Sequence, residues 1–239
     1  MPVRAISFDL DDTLWDTGPV MEQTEIRFHD WLRRHYPRVA QRYDVAALHR
    51  LRGQLAAAEP ARAWDFTHLR RRLFRQLARE SGYAEAEFGA RAWEIYMQAR
   101  HDVRFFDDVL PVLERLAERF TLVALSNGNA EIARVGLDRL FRFGLCARDV
   151  GRPKPHPAIY RQACEQLGLA PADMVHVGDH PEHDVLGAAR AGLATVWLNR
   201  DGRPWPAGMA VRPDAVIRHL HALPPLLRDD GAGLRRGDG

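Results

Sequence analysis

The chain has 239 residues, 46% of them hydrophobic, with 34 basic and 32 acidic side chains and a net charge of +2. That length suits one large domain or one domain carrying an insertion, and the apolar fraction supports a sizeable core, which excludes a disordered chain. The balanced charge gives no reason to expect a nucleic-acid partner, two cysteines (Cys146 and Cys164) exclude a disulfide framework, and no apolar run approaches the ~18 residues of a membrane span.

No apolar segment follows a basic start, so a soluble, cytoplasmic protein without a membrane partner is expected. The first element is the apolar run Val3 to Phe8, which predicts a strand buried on both faces of a parallel sheet. It stops at Asp9, and Leu10, Asp11, Asp12 and Thr13 follow. Asp9 and Asp11 then lie at the carboxyl end of the strand, where open α/β sheets bind ligands, on one side and a few ångströms apart. Carboxylates that close repel, so either a divalent cation lies between them or one is protonated and the two form an acid/base pair; the alternative is a plain acidic turn.

From Pro19 to Arg34 the apolar spacing becomes helical, with Val20, Ile26, Phe28, Trp31 and Leu32 on one side. Asp44 is placed to cap a second helix through Leu48, Leu51 and Leu55. Trp64 to Arg79 predicts a third, with Phe66, Leu69, Leu73, Phe74 and Leu77 on its core face. Ala84 to Arg100 predicts a fourth, with Phe88, Trp93 and Tyr96 or Met97 turned inward. No strand signal occurs between Trp15 and Val103, so this stretch reads as a helical bundle inserted into an α/β pattern.

The α/β pattern resumes near Phe105, with Pro111 in the first turn of a helix. Thr121 to Leu125 predicts a second buried strand, ending at Ser126 and Asn127, and Glu131 to Leu140 predicts a helix. A short strand or loop is expected over Leu145 to Asp149, a rigid loop over Gly151 to Pro155, and a helix from His156 to Leu167 ended by Gly168. Met174 to Val177 predicts a strand ending at Gly178-Asp179, Pro181 to Ala191 a helix, Leu193 to Leu198 a strand, and Ala215 to Leu227 a last strand or helix. The Gly-, Arg- and Asp-rich end, 229–239, is expected to be disordered.

Of the 34 basic residues 33 are arginine; the single lysine is Lys154. A compact ammonium retained there points to a task a planar guanidinium cannot do. Three strands thus end in polar loops, at Asp9 and Asp11, at Ser126, and at Gly178-Asp179, while a fourth loop brings Lys154.

The set Asp9-x-Asp11-x-Thr13, Ser126, Lys154 and Gly178-Asp179 with Asp184, in that order, resembles the haloacid dehalogenase-like (HAD) superfamily. The resemblance implies a three-layer, doubly wound parallel α/β core (1–15 and 105–228), an inserted helical cap of the C1 type (16–104), and the tail 229–239. It also implies hydrolysis of phosphate monoesters with Mg²⁺ as cofactor. Asp9 would be the nucleophile that forms an aspartyl-phosphate and a metal ligand; Asp11 the acid/base, offering its carbonyl to the metal; and Asp179 a further ligand. Ser126 would donate to a phosphoryl oxygen, with the backbone amides of Leu10, Asp11 and Asn127, and Lys154 would be the cation opposite the metal. Asp184 would lie behind them, orienting Lys154 or a metal-bound water.

The family's dehalogenases share the aspartate nucleophile, need no metal and lack the second aspartate, so Asp11 and Asp179 favour phosphoryl transfer. A signalling receiver gathers similar groups, but in a shorter chain and with the phosphorylated aspartate on a later strand. A non-catalytic phosphometabolite binder would not need every catalytic position filled. His176, His180 and His183 raise the possibility of zinc, but the acidic oxygen set argues for Mg²⁺.

Stretches such as Ala57 to Arg72, LVALSNGNA and DVLGAARAGL are similar to one branch of the family. Those bacterial phosphatases act on flavin mononucleotide and on 5-amino-6-(5-phosphoribitylamino)uracil, in riboflavin metabolism. The alternative substrates are sugar phosphates or nucleotides at large. Trp15 and Trp64 are candidates to stack on a flat ring of the substrate. Phe66 fits the core better, and Arg70 and His68 fit a solvated helix face.

Overall fold

The computed structural model describes residues 3–227; the expected tail 229–239 lies outside them. The described chain forms two compact units, one of residues 3–16 with 104–227 and one of residues 17–103.

The first unit is built on six parallel strands: β1 (Ala5–Phe8), β2 (Thr121–Ser126), β3 (Phe141–Cys146), β4 (Met174–Gly178), β5 (Ala194–Leu198) and β6 (Ala215–Ile217). Their order is β3-β2-β1-β4-β5-β6. The chain runs outward from β1 to β3 and then returns to lay β4 on the other side of β1. Crossovers are right-handed, so the reversal puts the connecting helices on opposite faces of the sheet. Ala5, Val123, Leu125 and Met174 form one fully buried face, packed with Ile159, Tyr160 and Ala163 of a crossing helix. Ile6, Phe8, Leu122 and Ala124 alternate to the other face and are equally buried. Burial on both sides explains why these strands read as continuous apolar runs.

The second unit has no strand among its described residues. It holds α1 (Thr17–His35), α2 (Pro37–Arg42), α3 (Val45–Ala58), α4 (Phe66–Glu80) and α5 (Glu85–Arg100). Asp44 caps α3 through its carboxylate, which accepts from the Ala47 amide at 2.7 Å. An aromatic cluster fills the interior. Phe28 lies 5.0 Å from Phe74 and 5.7 Å from Tyr96 between ring centres.

Two readings of α4 are corrected. Phe66 is 52% exposed, whereas Leu69, Leu73, Phe74 and Leu77 of the same helix lie in the core. Arg70 is buried instead of solvated, 3.0 Å from Glu25 and with its guanidinium 3.9 Å over the Tyr96 ring. That partner lies 45 residues away in the chain, out of reach of local pattern.

The remaining helices belong to the first unit: α6 (Val109–Ala117), α7 (Ala147–Val150), α8 (Ala158–Leu167), α9 (Gly187–Ala191) and α10 (Leu223–Leu226). The helix expected over Glu131 to Leu140 is a run of turns. Gly136 takes φ +80°, and the Leu137 amide bonds the Ile132 carbonyl, closing the turn after one repeat. The strand expected near Leu145 to Asp149 begins instead at Phe141 and gives way to α7 after Cys146. Residues Pro181–Leu186 form a wide turn of π type that runs into α9, so the expected helix there is continuous but not regular. Ala215 to Leu227 holds both a strand, β6, and a short helix, α10. No helix of the described residues is long and apolar enough to cross a membrane.

Candidate active site

The sheet reverses its order between β1 and β4, and Phe8 pairs with Val177 and with Ala124. Asp9 continues β1 by one step, its amide donating to the Val177 carbonyl at 2.9 Å. Asp179 and Ser126 each follow those partners by two residues, so all three reach the same edge, at the point where doubly wound sheets bind ligands. Asp12 then takes φ +62°, turning the chain back so that the Thr13 hydroxyl reaches Asp179 Oδ1 at 3.2 Å and Asp9 Oδ2 at 3.5 Å.

Lys154 is buried under this edge. Its Nζ donates to Asp9 Oδ1 at 2.5 Å, to Asp184 Oδ1 at 2.6 Å and to the Leu125 carbonyl at 3.0 Å. All three ammonium protons are thereby used. Asn127 holds the lysine's own backbone from both sides: its amide nitrogen donates to the Lys154 carbonyl at 3.1 Å and its oxygen accepts from the Lys154 amide at 2.7 Å. The substrate role expected of Asn127 is its backbone amide's; its side chain is committed to Lys154.

Asp184 receives Lys154 on Oδ1 and the His180 amide on Oδ2 at 2.9 Å. Its carboxyl lies directly over Gly178, where an added Cβ would fall 2.3 Å from Asp184 Cγ. The glycine before Asp179 is thus required for space. One oxygen from each of Asp9, Asp179 and Asp184 lies within 4.8 Å of the others, and among the described residues this is the group able to hold a metal ion. The histidines do not join it; His180 instead accepts the amides of Glu182 and His183 on Nδ1.

The electrostatics follow from crowding. Burial raises the Asp9 pKa well above the carboxylate range, against the pull of Lys154. Burial, with Asp184 and Asp12 nearby, pushes Asp179 up to about 7. Burial also works against a charged Asp184, but Lys154 and His176 outweigh it and hold its pKa below the usual range. For Lys154, burial is outweighed by Asp184 and Asp9, which hold the ammonium charged. Three carboxylates meet one buried ammonium and the half-exposed Arg203 guanidinium, 3.6 Å from Asp179 Oδ2, which leaves positive charge short, and an all-oxygen donor set of this kind fits a hard divalent cation such as Mg²⁺.

Asp11 stands apart from the cluster, half-buried, and its Oδ1 accepts from the Trp15 indole at 3.0 Å. Trp15 itself is fully buried, edge-on to Phe105 at 5.9 Å. The expectation that it stacks on substrate is therefore corrected: no face of the ring is open, because the indole is built into the core to hold Asp11. Trp64 is half-buried in the helical unit, its indole N–H bonded to the Ala61 carbonyl at 3.0 Å. Ser126 accepts the Gly128 amide at 2.8 Å, which leaves its hydroxyl proton to be donated.

Two further residues, Asp108 and Arg200, had no signal in the sequence. Arg200 grips both oxygens of Asp108 at 3.0 Å and donates to the Thr13 carbonyl at 3.2 Å, fixing the loop after Asp9. One arginine among 33 cannot be singled out without the fold. A cavity of about 270 Å³ opens beside these groups, lined by Asp12, Phe106, Asp179, Arg200 and Arg203 among others.

The haloacid dehalogenase-like hydrolase family matches residues 3–192. The chain belongs to this family of HAD-like hydrolases. Among its relatives, the 5-amino-6-(5-phospho-D-ribitylamino)uracil phosphatase YigB of Escherichia coli is 35% identical over 199 residues, 82% of this chain and 83% of that protein. The N-acylneuraminate-9-phosphatase of Mus musculus is 26% identical over 95% of this chain and 94% of its own. Among solved structures, a 2-haloacid dehalogenase from Pseudomonas syringae superposes with a TM-score of 0.85 at 37% identity, covering 93% of this chain and 97% of that one. The HAD fold thus comes with relatives named for two reactions.

Proposed function

We propose that this HAD hydrolase is an Mg²⁺-dependent phosphomonoesterase working through an aspartyl-phosphate, with flavin mononucleotide or 5-amino-6-(5-phosphoribitylamino)uracil as substrate. The observation that carries the reading is the charge deficit: the three clustered carboxylates of Asp9, Asp179 and Asp184 meet only two cations among the described residues, the buried Lys154 ammonium on Asp9 and Asp184 and the half-exposed Arg203 guanidinium 3.6 Å from Asp179. Phosphate hydrolysis needs a dianion brought against a carboxylate, which requires positive charge beyond one lysine. The likeness to YigB supports the substrate class.

Asp9 attacks phosphorus with the oxygen not held by Lys154, and the phosphoryl group passes to its carboxylate. Asp11, oriented by Trp15, protonates the leaving oxygen and then takes a proton from the water that hydrolyses the acyl phosphate. Ser126 donates its hydroxyl proton to a phosphoryl oxygen, and Lys154 balances the charge there and on Asp9. Asp9, Asp179 and the Asp11 carbonyl would hold Mg²⁺, which neutralises the phosphoryl charge when bound. Residues 16–104 are proposed as the cap that selects the leaving group, with Trp64 and the exposed Phe66 as its flat side chains.

The rival reading, a 2-haloacid dehalogenase, is favoured by the Pseudomonas syringae neighbour. There the aspartate attacks carbon and expels halide, a reaction with no use for crowded acidic oxygens. Phosphate and halide release should be measured on the two flavin-pathway compounds and on 2-chloropropionate, with Mg²⁺ and with chelator. Phosphate release that stops with chelator, and falls at least ~10³-fold in Asp9→Asn, is expected. Chelator-insensitive turnover, or halide release alone, would overturn the proposal.

A further inference from the structure

Two polar residues in otherwise apolar strands have no part in the mechanism above: Ser7 of β1 and His176 of β4. They are register partners across the β1–β4 pair and are 0% and 1% exposed. Ser7 Oγ lies 2.9 Å from His176 Nδ1, and His176 Nε2 lies 3.1 Å from Asp184 Oδ1. That same oxygen takes the Lys154 ammonium at 2.6 Å, and Lys154 reaches Asp9 at 2.5 Å.

We propose that Ser7 and His176 are positioning residues which, through Asp184, fix the Lys154 ammonium against Asp9. The inference rests on the reading of Asp9 and Lys154 given above. A carboxylate only accepts, so the proton between His176 and Asp184 must sit on Nε2. In the neutral ring Nδ1 is then an acceptor, and the Ser7 hydroxyl must be its donor. The alternative partner of that hydroxyl, the Val175 carbonyl, is farther away at 3.3 Å. Burial lowers the pKa of the ring, against the pull of Asp184, and the edge of Tyr160 closes the pocket 4.9 Å away between ring centres.

The consequence is mechanical. Three donors, from Lys154, His176 and the His180 amide, fix the rotation of the Asp184 carboxylate. A lysine stem is flexible, so its head is only as well placed as the acceptors that hold it. Removing the His176 donor frees Asp184 to turn, and the ammonium shifts with it.

The test combines kinetics with ¹⁵N NMR of histidine-labelled protein at pH 7.5, the His176 signal being identified by its loss in His176→Gln. The wild type should show the neutral Nε2–H tautomer. In His176→Leu, kcat should fall about 10- to 100-fold with KM changed less than about 3-fold, the effect of a misplaced group. His176→Gln keeps a donor near the Nε2 position and should recover to within about 5-fold of wild type. An Nδ1–H tautomer, a doubly protonated ring, or a Gln variant no better than Leu would overturn the inference. If His176→Leu does not fold, the wild-type tautomer and the Gln variant decide. Wild type lacking phosphatase activity but showing the Nε2–H tautomer would remove the proposed function and leave the hydrogen-bond assignment standing; active wild type with the wrong tautomer would remove only the positioning inference.

Discussion

Replacing a proposed metal ligand should make the chelated protein more stable. Asp179 has its pKa pushed from 3.8 to about 7 by burial, Asp184 and Asp12. A carboxyl raised in the fold keeps its proton between those values, where the unfolded chain has already lost it. Its ionisation therefore costs stability progressively as pH climbs from about 4 to about 7, and the full cost is present above that. At ~1.4 kcal/mol per unit, the ceiling is roughly 4 kcal/mol. The side chain is 16% exposed and the site can relax, so about 1–3 kcal/mol is the expected size at pH 8. Asn is neutral, similar in shape, and still accepts the Thr13 hydroxyl. Urea unfolding with chelator present should find Asp179→Asn more stable than wild type by that amount at pH 8, with the gap about 1–2 kcal/mol smaller at pH 5. Mg²⁺ at about 1,000 times Kd should reverse the order, since binding to the native state then adds about 4.1 kcal/mol to wild type alone. A variant no more stable at pH 8, or a gap that does not widen with pH, would refute the account of crowded charge.

Lys154→Met leaves Asp9 and Asp184 buried without their cation; a loss of about 3–5 kcal/mol by urea unfolding is expected, together with the loss of turnover. Gly178→Ala drives a methyl to within 2.3 Å of Asp184 Cγ; it should cost about 1–3 kcal/mol and show Asp184 displaced in a crystal structure. Arg200→Leu removes the cation from Asp108 and leaves it the Leu220 amide at 2.6 Å; both hold its carboxyl below its usual range against the effect of burial. The single change should cost about 3 kcal/mol, and the double variant with Asp108→Asn should recover part of it; strict additivity would show that the pair is not coupled.

The elements legible in the sequence are those whose local pattern and tertiary role agree. β1, β2, β4 and β5 are apolar on both faces because both are covered, and each meets a polar residue where it leaves the sheet. β3 is poorly legible because it is an edge strand in which exposed Arg142 and half-exposed residues break the apolar run. The turn at Gly136 is hidden from sequence reading because one positive φ overrides a helical spacing. Arg70 reads as solvent-facing from its own neighbours, and only Glu25 and Tyr96, brought in by folding, allow it to be buried.

For the site, Asp9, Asp11, Ser126 and Asp179 are legible as polar residues at strand ends and Lys154 as the single lysine, while Asp184 enters only through the resemblance to the HAD superfamily. The sequence by itself determined which chemical groups the protein has to work with and the family it belongs to. Tertiary structure decided what those groups do to one another. It turned Asn127 toward Lys154 and closed Trp15 into the core to hold Asp11. It also enlisted Thr13, Asp108, Arg200, Ser7 and His176 as supports. The reason is physical: a hydrogen bond depends on positions within a few tenths of an ångström, and parallel strands make neighbours of Ser7 and His176, 169 residues apart.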